Sequence, residues 1–301
     1  MRCLILPGLL TVALTSAALA DEVTIPTAQG EVSVAADPKV IAVLDMAAID
    51  TLQALGVMPD GRPNELYIDY LPDVEEAAAP VGTLFEPNLE ALAVLDPDLI
   101  IIGGRSAGQL ESVSQIAPSI DMTIGIDLIS DAKARLSAYG TLFGKEDQAA
   151  EMTAALDEKL AKTREAGKGK GSALMVMTNG PKMAAYGTNS RFGWIFDATG
   201  LEEASNGLKG DTHGDAITHE FIAEADPDWL IVLDRSVAVG EGGQSAEATL
   251  KSPLIAETKA WKSGQIIYLD PASSYISGGG YRSLSTGLEQ LAKALNSVSE
   301  N

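Results

Sequence analysis

The chain has 301 residues, with 42 acidic against 21 basic side chains and a formal net charge of −21. This balance excludes the basic face that a nucleic-acid partner needs, and a single cysteine excludes a disulfide framework. The length exceeds one ordinary hydrophobic core and suits two lobes.

Residues 1–20 read as a secretory signal: Arg2 is the positive start, 4–14 the apolar core and Ala18-Leu19-Ala20 the small-residue cleavage site. The apolar run is short for a membrane span, and no later stretch is a better one, so no membrane insertion is expected. Cys3 falls inside the signal and Ala20-Asp21 offers no cysteine for lipidation, which predicts a soluble periplasmic protein without a lipid anchor.

Residues 21–129 are expected to form an N-terminal α/β lobe. Within it, 21–36 suggest an edge hairpin, 40–44 a short strand and 45–55 a helix ending at Gly56. Residues 59–80, with their prolines and acids, read as irregular surface structure. After Arg105, a helix is expected over 108–117 and a strand over 120–126. Residues 130–166 are helical in spacing and predict a single long helical connection, divided at Gly144. The glycine–lysine run at 167–171 reads as a solvated turn, because it lacks the spacing of a phosphate loop.

Residues 167–301 are expected to form the second α/β lobe. A strand over 173–177 turns at Asn179-Gly180-Pro181 into a partner over 183–186. A helix over 192–199 ends at Gly200, and a further helix is expected around 252–261. A strand over 266–269, a glycine-rich loop at 277–280 and an amphipathic helix over 283–298 close the chain.

One stretch occurs twice. Shifting residues 88–105 by 130 positions lays Glu90 on Glu220, Asp96-Pro97-Asp98 on Asp226-Pro227-Asp228 and Arg105 on Arg235. Each copy reads as a short helix opening on an acid, a proline turn that stops it, and a buried apolar strand ending at an arginine. Two copies of one α/β unit each place an arginine at a strand's C-terminal end, where open α/β sheets bind ligands.

Catalytic options are sparse. The mature chain has no cysteine nucleophile, no Gly-x-Ser-x-Gly elbow and only His213 and His219 as imidazoles, too few for a three-histidine zinc site. Arg105, Arg191 and Arg235 are the sharper signal, since guanidinium forks suit carboxylate, phosphate and catecholate oxygens. His213, in Asp211-Thr212-His213-Gly214-Asp215, and Tyr275, in Ser273-Ser274-Tyr275-Ile276-Ser277, are residue types acceptable to iron.

Taken in order, Tyr186-Gly187…Ser190-Arg191-Phe192-Gly193, His213-Gly214, Asp234-Arg235 and Tyr268-Leu269-Asp270-Pro271…Tyr275…Ser277-Gly278-Gly279-Gly280 resemble the periplasmic ferric-siderophore binding proteins of ABC importers. The likeness is to the group for catecholate siderophores of the enterobactin and petrobactin type. Trp194 departs from the pattern, standing where a smaller or aliphatic residue is expected. The resemblance implies two Rossmann-like α/β lobes joined by one long helix, with the ligand cleft between them. It implies that Arg105, Arg191 and Arg235 hold the charge of the ferric complex. His213 and Tyr275 then become iron ligands when a tetradentate siderophore leaves two positions open. Glu90 and Glu220 become the acids that dock arginines of the permease. No catalysis, no permanently bound cofactor and a monomeric state are expected. Other readings stay open. A haem or cobalamin binder would share the fold, with Tyr275 as an axial haem ligand. A secreted enzyme would use His213 with Asp211 or Asp215 as acid and base, and a structural protein would bind no small ligand.

Overall fold

The computed structural model describes residues 21–210 and 213–297. The expected signal peptide, Asp211 and Thr212 lie outside them. Among the described residues, thirteen strands run in chain order: β1 (Glu22–Thr27), β2 (Gly30–Ala35), β3 (Ile41–Val43), β4 (Gly61–Arg62), β5 (Ala79–Pro80), β6 (Leu99–Ile102), β7 (Ser119–Asp121), β8 (Ser172–Asn179), β9 (Lys182–Tyr186), β10 (Glu202–Glu203), β11 (Asp215–Ile217), β12 (Trp229–Asp234) and β13 (Ile266–Tyr268).

The first lobe is a parallel sheet in the order β5-β4-β3-β6-β7. The chain starts at the centre with β3, winds outward through β4 and β5, then returns beside β3 as β6 and winds out the other way. The strand order therefore reverses between β3 and β6, the place where an open parallel sheet leaves a crevice at its C-terminal edge. Asp45 follows β3 there and Arg105 follows β6. The second sheet runs β11-β9-β8-β12-β13, with β10 alongside the start of β8. Here β8, β12 and β13 are parallel, while β9 folds back antiparallel to β8. Asp234 lies opposite Thr178, so Asn179 and Arg235 leave adjacent central strands at the same end.

The apolar runs divide by strand period. Leu99 and Ile101 join the large core shared by both lobes, whereas Ile100 and Ile102 face a smaller core on the other side. Trp229, Ile231 and Leu233 likewise face the shared core, and Leu230 and Val232 a third cluster. A strand covered on both faces has no polar positions to alternate.

The duplicated unit is reproduced in detail. Its helices, Leu89–Leu95 and His219–Ala225, are capped by Asn88 and Thr218 and end on left-handed Asp96 and Asp226, with φ of 53° and 37°. Asp98 accepts the N–H groups of Lys39 and Val40 at 2.8 and 2.9 Å. Asp228 accepts that of Ser172 at 2.8 Å. In both lobes the last acid of the turn thus holds the entrance to the neighbouring central strand.

Several local expectations are corrected. Residues 59–80 are not irregular surface: they contain β4, β5 and the helix Pro72–Ala77, and they bury Leu66, Ile68, Leu71 and Val74. Two-residue strands carry too little periodicity to be read from sequence. The hairpin β1–β2 forms a sheet of its own rather than an edge of a larger one. It packs on the helix Leu128–Leu142. The 108–117 helix is a 3-10 turn, Gly104–Gln109, followed by one helical turn, Leu110–Val113. The helix expected at 252–261 is two, Pro253–Ala256 and Lys259–Lys262.

The residues expected to form the helical connection are two helices, Leu128–Leu142 and Glu146–Gly167. Gly144, at φ +61°, divides them, and Lys145 N–H donates back to Gly140 O at 2.7 Å in a glycine C-cap. The second helix packs against the closing helix Tyr281–Ser297. Trp194 is buried there, its ring beside Gly287, where an added Cβ would lie 3.2 Å away. The large indole is accommodated by an absent side chain on the closing helix.

Asp50 joins the lobes. Fully buried in the helix Met46–Ala54, its carboxylate accepts the N–H groups of Arg282 and Ser283 at 2.9 Å each and the hydroxyl of Tyr70 at 3.0 Å. An acid of the first lobe thus satisfies the free N–H groups that open the last helix. The Tyr70 hydroxyl also bonds Ser283 at 2.8 Å and Ser277 at 3.3 Å, two residues from Tyr275.

Candidate functional site

Tyr275 stands at the centre of the site. It is the last residue of a short helix, Pro271–Tyr275, rather than a loop residue. Pro271 opens that helix and Asp270 caps it by accepting Ser273 N–H at 2.8 Å. Three arginines from three different segments surround its ring. Their guanidinium carbons lie 5.2 Å (Arg105), 4.9 Å (Arg191) and 5.8 Å (Arg235) from the ring centroid, within cation–π range.

Each arginine is further fixed by hydrogen bonds. Arg105 crosses from the first lobe to donate to Tyr275 O at 2.8 Å and Ile276 O at 3.1 Å. Arg191 donates to Tyr275 O at 3.1 Å and stacks on Phe192, 5.0 Å from its centroid. Arg235 donates from Nε to the Tyr275 hydroxyl at 3.2 Å and from Nη1 to Asn179 Oδ1 at 3.4 Å and Glu241 Oε2 at 3.2 Å.

The electrostatics follow from crowding like charges. Burial, and then the neighbouring Arg105 charge, push the Arg191 guanidinium below its ordinary pKa. Arg235 is raised instead, chiefly by its hydrogen bond to Tyr275. A site that confines positive charge without an equal number of carboxylates is suited to an anionic ligand.

His213 lines the same cavity of about 330 Å³ as Arg191, Arg235 and Tyr275, with Met177 and Met183 as apolar wall. The motif glycines and aromatics explain its placement. Tyr186 Oη donates to His213 O at 2.8 Å and meets Phe192 edge to face, at 4.9 Å between centroids. Gly214, at φ +71°, brings the chain so close to Tyr186 that a Cβ would sit 2.8 Å from the ring. The other histidine, His219, has Nε2 2.8 Å from Thr249 O. Asp215, offered as an acid/base partner for His213, accepts Lys209 N–H at 2.6 Å.

Among the described residues, no group of three or more His, Cys, Asp or Glu side chains is arranged to hold a metal ion. His213 and Tyr275 can supply two donors at most, so an iron bound here would need its remaining donors from a chelator. Glu90 and Glu220 lie away from this site, exposed, each at the second position of its duplicated helix. The Thr218 hydroxyl holds Glu220 below the usual carboxylate value. Asn179 and Glu241 were not anticipated. Asn179 was legible only as a turn, and nothing in its spacing relates Glu241 to Arg235.

The periplasmic binding protein family model matches residues 41–273. The petrobactin-binding protein YclQ of Bacillus subtilis is 34% identical over 266 residues, covering 86% of this chain and 83% of that protein. Its crystal structure superposes with a TM-score of 0.85 at 32% identity, covering 91% of this chain and 99% of the other. The ferric-anguibactin-binding protein FatB of Vibrio anguillarum is 32% identical, covering 89% and 86% of the two chains. The crystal structure of the periplasmic catecholate-siderophore binding protein VctP of Vibrio cholerae gives a TM-score of 0.85 at 28% identity, covering 92% of this chain and all of the other. Two α/β lobes, an arginine-lined cleft and this span of similarity make the chain a member of the periplasmic binding protein family.

Proposed function

We propose that this protein captures a ferric catecholate-type siderophore and delivers it to an ABC permease. The observation that carries the reading is the convergence of Arg105, Arg191 and Arg235 on Tyr275. An aromatic ring bearing an oxygen already occupies the space among the three guanidiniums, and a catecholate offers the same ring with two anionic oxygens. The names of YclQ, FatB and VctP agree with such a ligand.

Binding exchanges the internal acceptors of the arginines for catecholate oxygens. Charge-assisted N–H···O bonds are the strong class, and partial burial reduces their screening. The iron arrives as cargo. A siderophore offering four donors leaves two coordination positions, and His213 and Tyr275 fill them; a siderophore offering six needs neither. Glu90 and Glu220, equivalent and exposed on the two lobes, meet basic residues of the permease. Residues 21–129 and 167–301 are the two lobes and 130–166 the connection between them. Export through residues 1–20 places the protein in the periplasm, where it acts as a monomer and catalyses no reaction.

A fluorescence titration tests this. Trp194, Trp229 and Trp261 report binding of a ferric bis-catecholate, the same siderophore without iron, and haemin. Saturable quenching by the ferric complex at the lowest concentration is expected. Saturation by haemin with no response to ferric catecholates would replace this reading with a haem binder.

A further inference from the structure

All three guanidiniums have internal partners, but those partners differ in charge. Arg105 and Arg191 donate to backbone carbonyls, whereas Arg235 Nη1 forms an ion pair with Glu241 Oε2 at 3.2 Å. Glu241 belongs to residues 239–245, Val-Gly-Glu-Gly-Gly-Gln-Ser, which follow the turn Arg235–Ala238. One carboxylate pins both ends of this loop: Asp234 accepts Val237 N–H at 3.3 Å and Ala246 N–H at 2.8 Å. Between those anchors, Gly240 and Gly243 take φ of +68° and +149°. The Arg235 side chain is 29% exposed and that of Glu241 58%. The carboxylate therefore reaches in from the solvent side and covers one edge of the guanidinium. An ion pair this exposed adds little to the stability of a fold. Its effect falls on whatever else is to bind Arg235.

We infer that Glu241 is an internal counter-ion that the ligand displaces from Arg235, and that it sets how much negative charge the site accepts. The inference rests on the proposed ferric catecholate function. Catecholate oxygens taking the Nη1 edge of Arg235 push the carboxylate outward about the two glycines. Because Asp234 holds the loop at its base, Glu241 stays near the cleft mouth and continues to repel the ligand. A ferric bis-catecholate carries one net negative charge and a ferric tris-catecholate three, so the tris complex is disfavoured more. Glu241 thereby shifts selectivity toward the less charged, tetradentate complex, the kind that leaves iron positions for His213 and Tyr275.

The test uses the mature full chain, wild type, Glu241→Gln and Glu241→Ala, titrated with a ferric bis-catecholate and a ferric tris-catecholate at low and high salt. Both variants are expected to bind the bis complex about threefold more tightly and the tris complex about tenfold or more at low salt. The difference between the complexes should collapse at high salt. Equal Kd for variants and wild type would reduce the contact to an incidental surface pair and overturn the inference. Weaker binding of both complexes would also overturn it, by showing that Glu241 positions Arg235 for the ligand. Wild-type protein that binds neither complex would remove the functional reading and this inference together.

Discussion

Replacing Arg191 by methionine should separate binding from stability. The guanidinium is mostly buried, stacks on Phe192 and Tyr275, and donates a single hydrogen bond, to Tyr275 O. Removing it forfeits that bond, about 1 kcal/mol net, and two cation–π contacts of roughly 0.5–1 kcal/mol each. Against this, burial and the Arg105 charge already disfavour the charged form, and methionine keeps apolar contact with Phe192. Its loss offsets part of that cost, so destabilisation should stay below the roughly 2–3 kcal/mol sum of the lost contacts, a shift of at most several degrees in Tm for a chain of this length. The ligand, in contrast, loses one of three charge-assisted partners in a partly dehydrated cleft. Truncating such a partner costs about 2–5 kcal/mol, or at least roughly 30-fold in Kd. Thermal unfolding and fluorescence titration of the same preparation measure both quantities. A large fall in Tm with unchanged Kd would refute this and make Arg191 a structural residue.

Other perturbations have equally definite outcomes. Burial raises the Asp50 carboxyl above its ordinary value of 3.8, so the folded state takes up its proton before the unfolded state does. Its contribution to stability therefore grows as pH falls from the raised value toward about 3.8. Asp50→Asn should abolish that acid-side gain in urea titrations between pH 7 and 4 and cost about 1–3 kcal/mol at neutral pH, where an amide N–H meets backbone donors. An unchanged pH profile would contradict the assignment. Gly214→Ala should lose about 1–2 kcal/mol, because its left-handed φ strains an L residue and Tyr186 blocks the Cβ. It should also weaken a tetradentate ferric complex more than a hexadentate one, by displacing His213. The double variant Glu90→Arg, Glu220→Arg should bind the siderophore with unchanged Kd and fail in transport assays with the cognate permease; normal uptake would remove both glutamates from docking.

The duplicated stretch carried most of what sequence could reveal. Its acid-led helix, proline turn and apolar run are local signals, and each became the element it implied. The arginines at the ends of the two repeats were legible for the same reason, since strand termini at the sheet edge are set by local pattern. Contacts made at long range were not. The encirclement of Tyr275 joins positions 105, 191, 235 and 275, which no periodicity connects. Asp50 reads as one more helical residue until residue 283 folds onto it. Residues 59–80 looked irregular because β4 and β5 are two residues each, held by strand pairing that only the assembled sheet supplies. Glu241 is an acid in an acidic protein, and only the geometry around Arg235 distinguishes it.

The central claim is that the ferric complex sits among the three arginines with Tyr275 on the metal. Its most direct test is the visible charge-transfer band of a bound ferric bis-catecholate, compared in wild type and Tyr275→Phe. A band that differs from the free complex in wild type and reverts toward it in the variant, with weaker binding, is the expected result. The same band and the same Kd in both proteins would place the iron elsewhere and contradict the account.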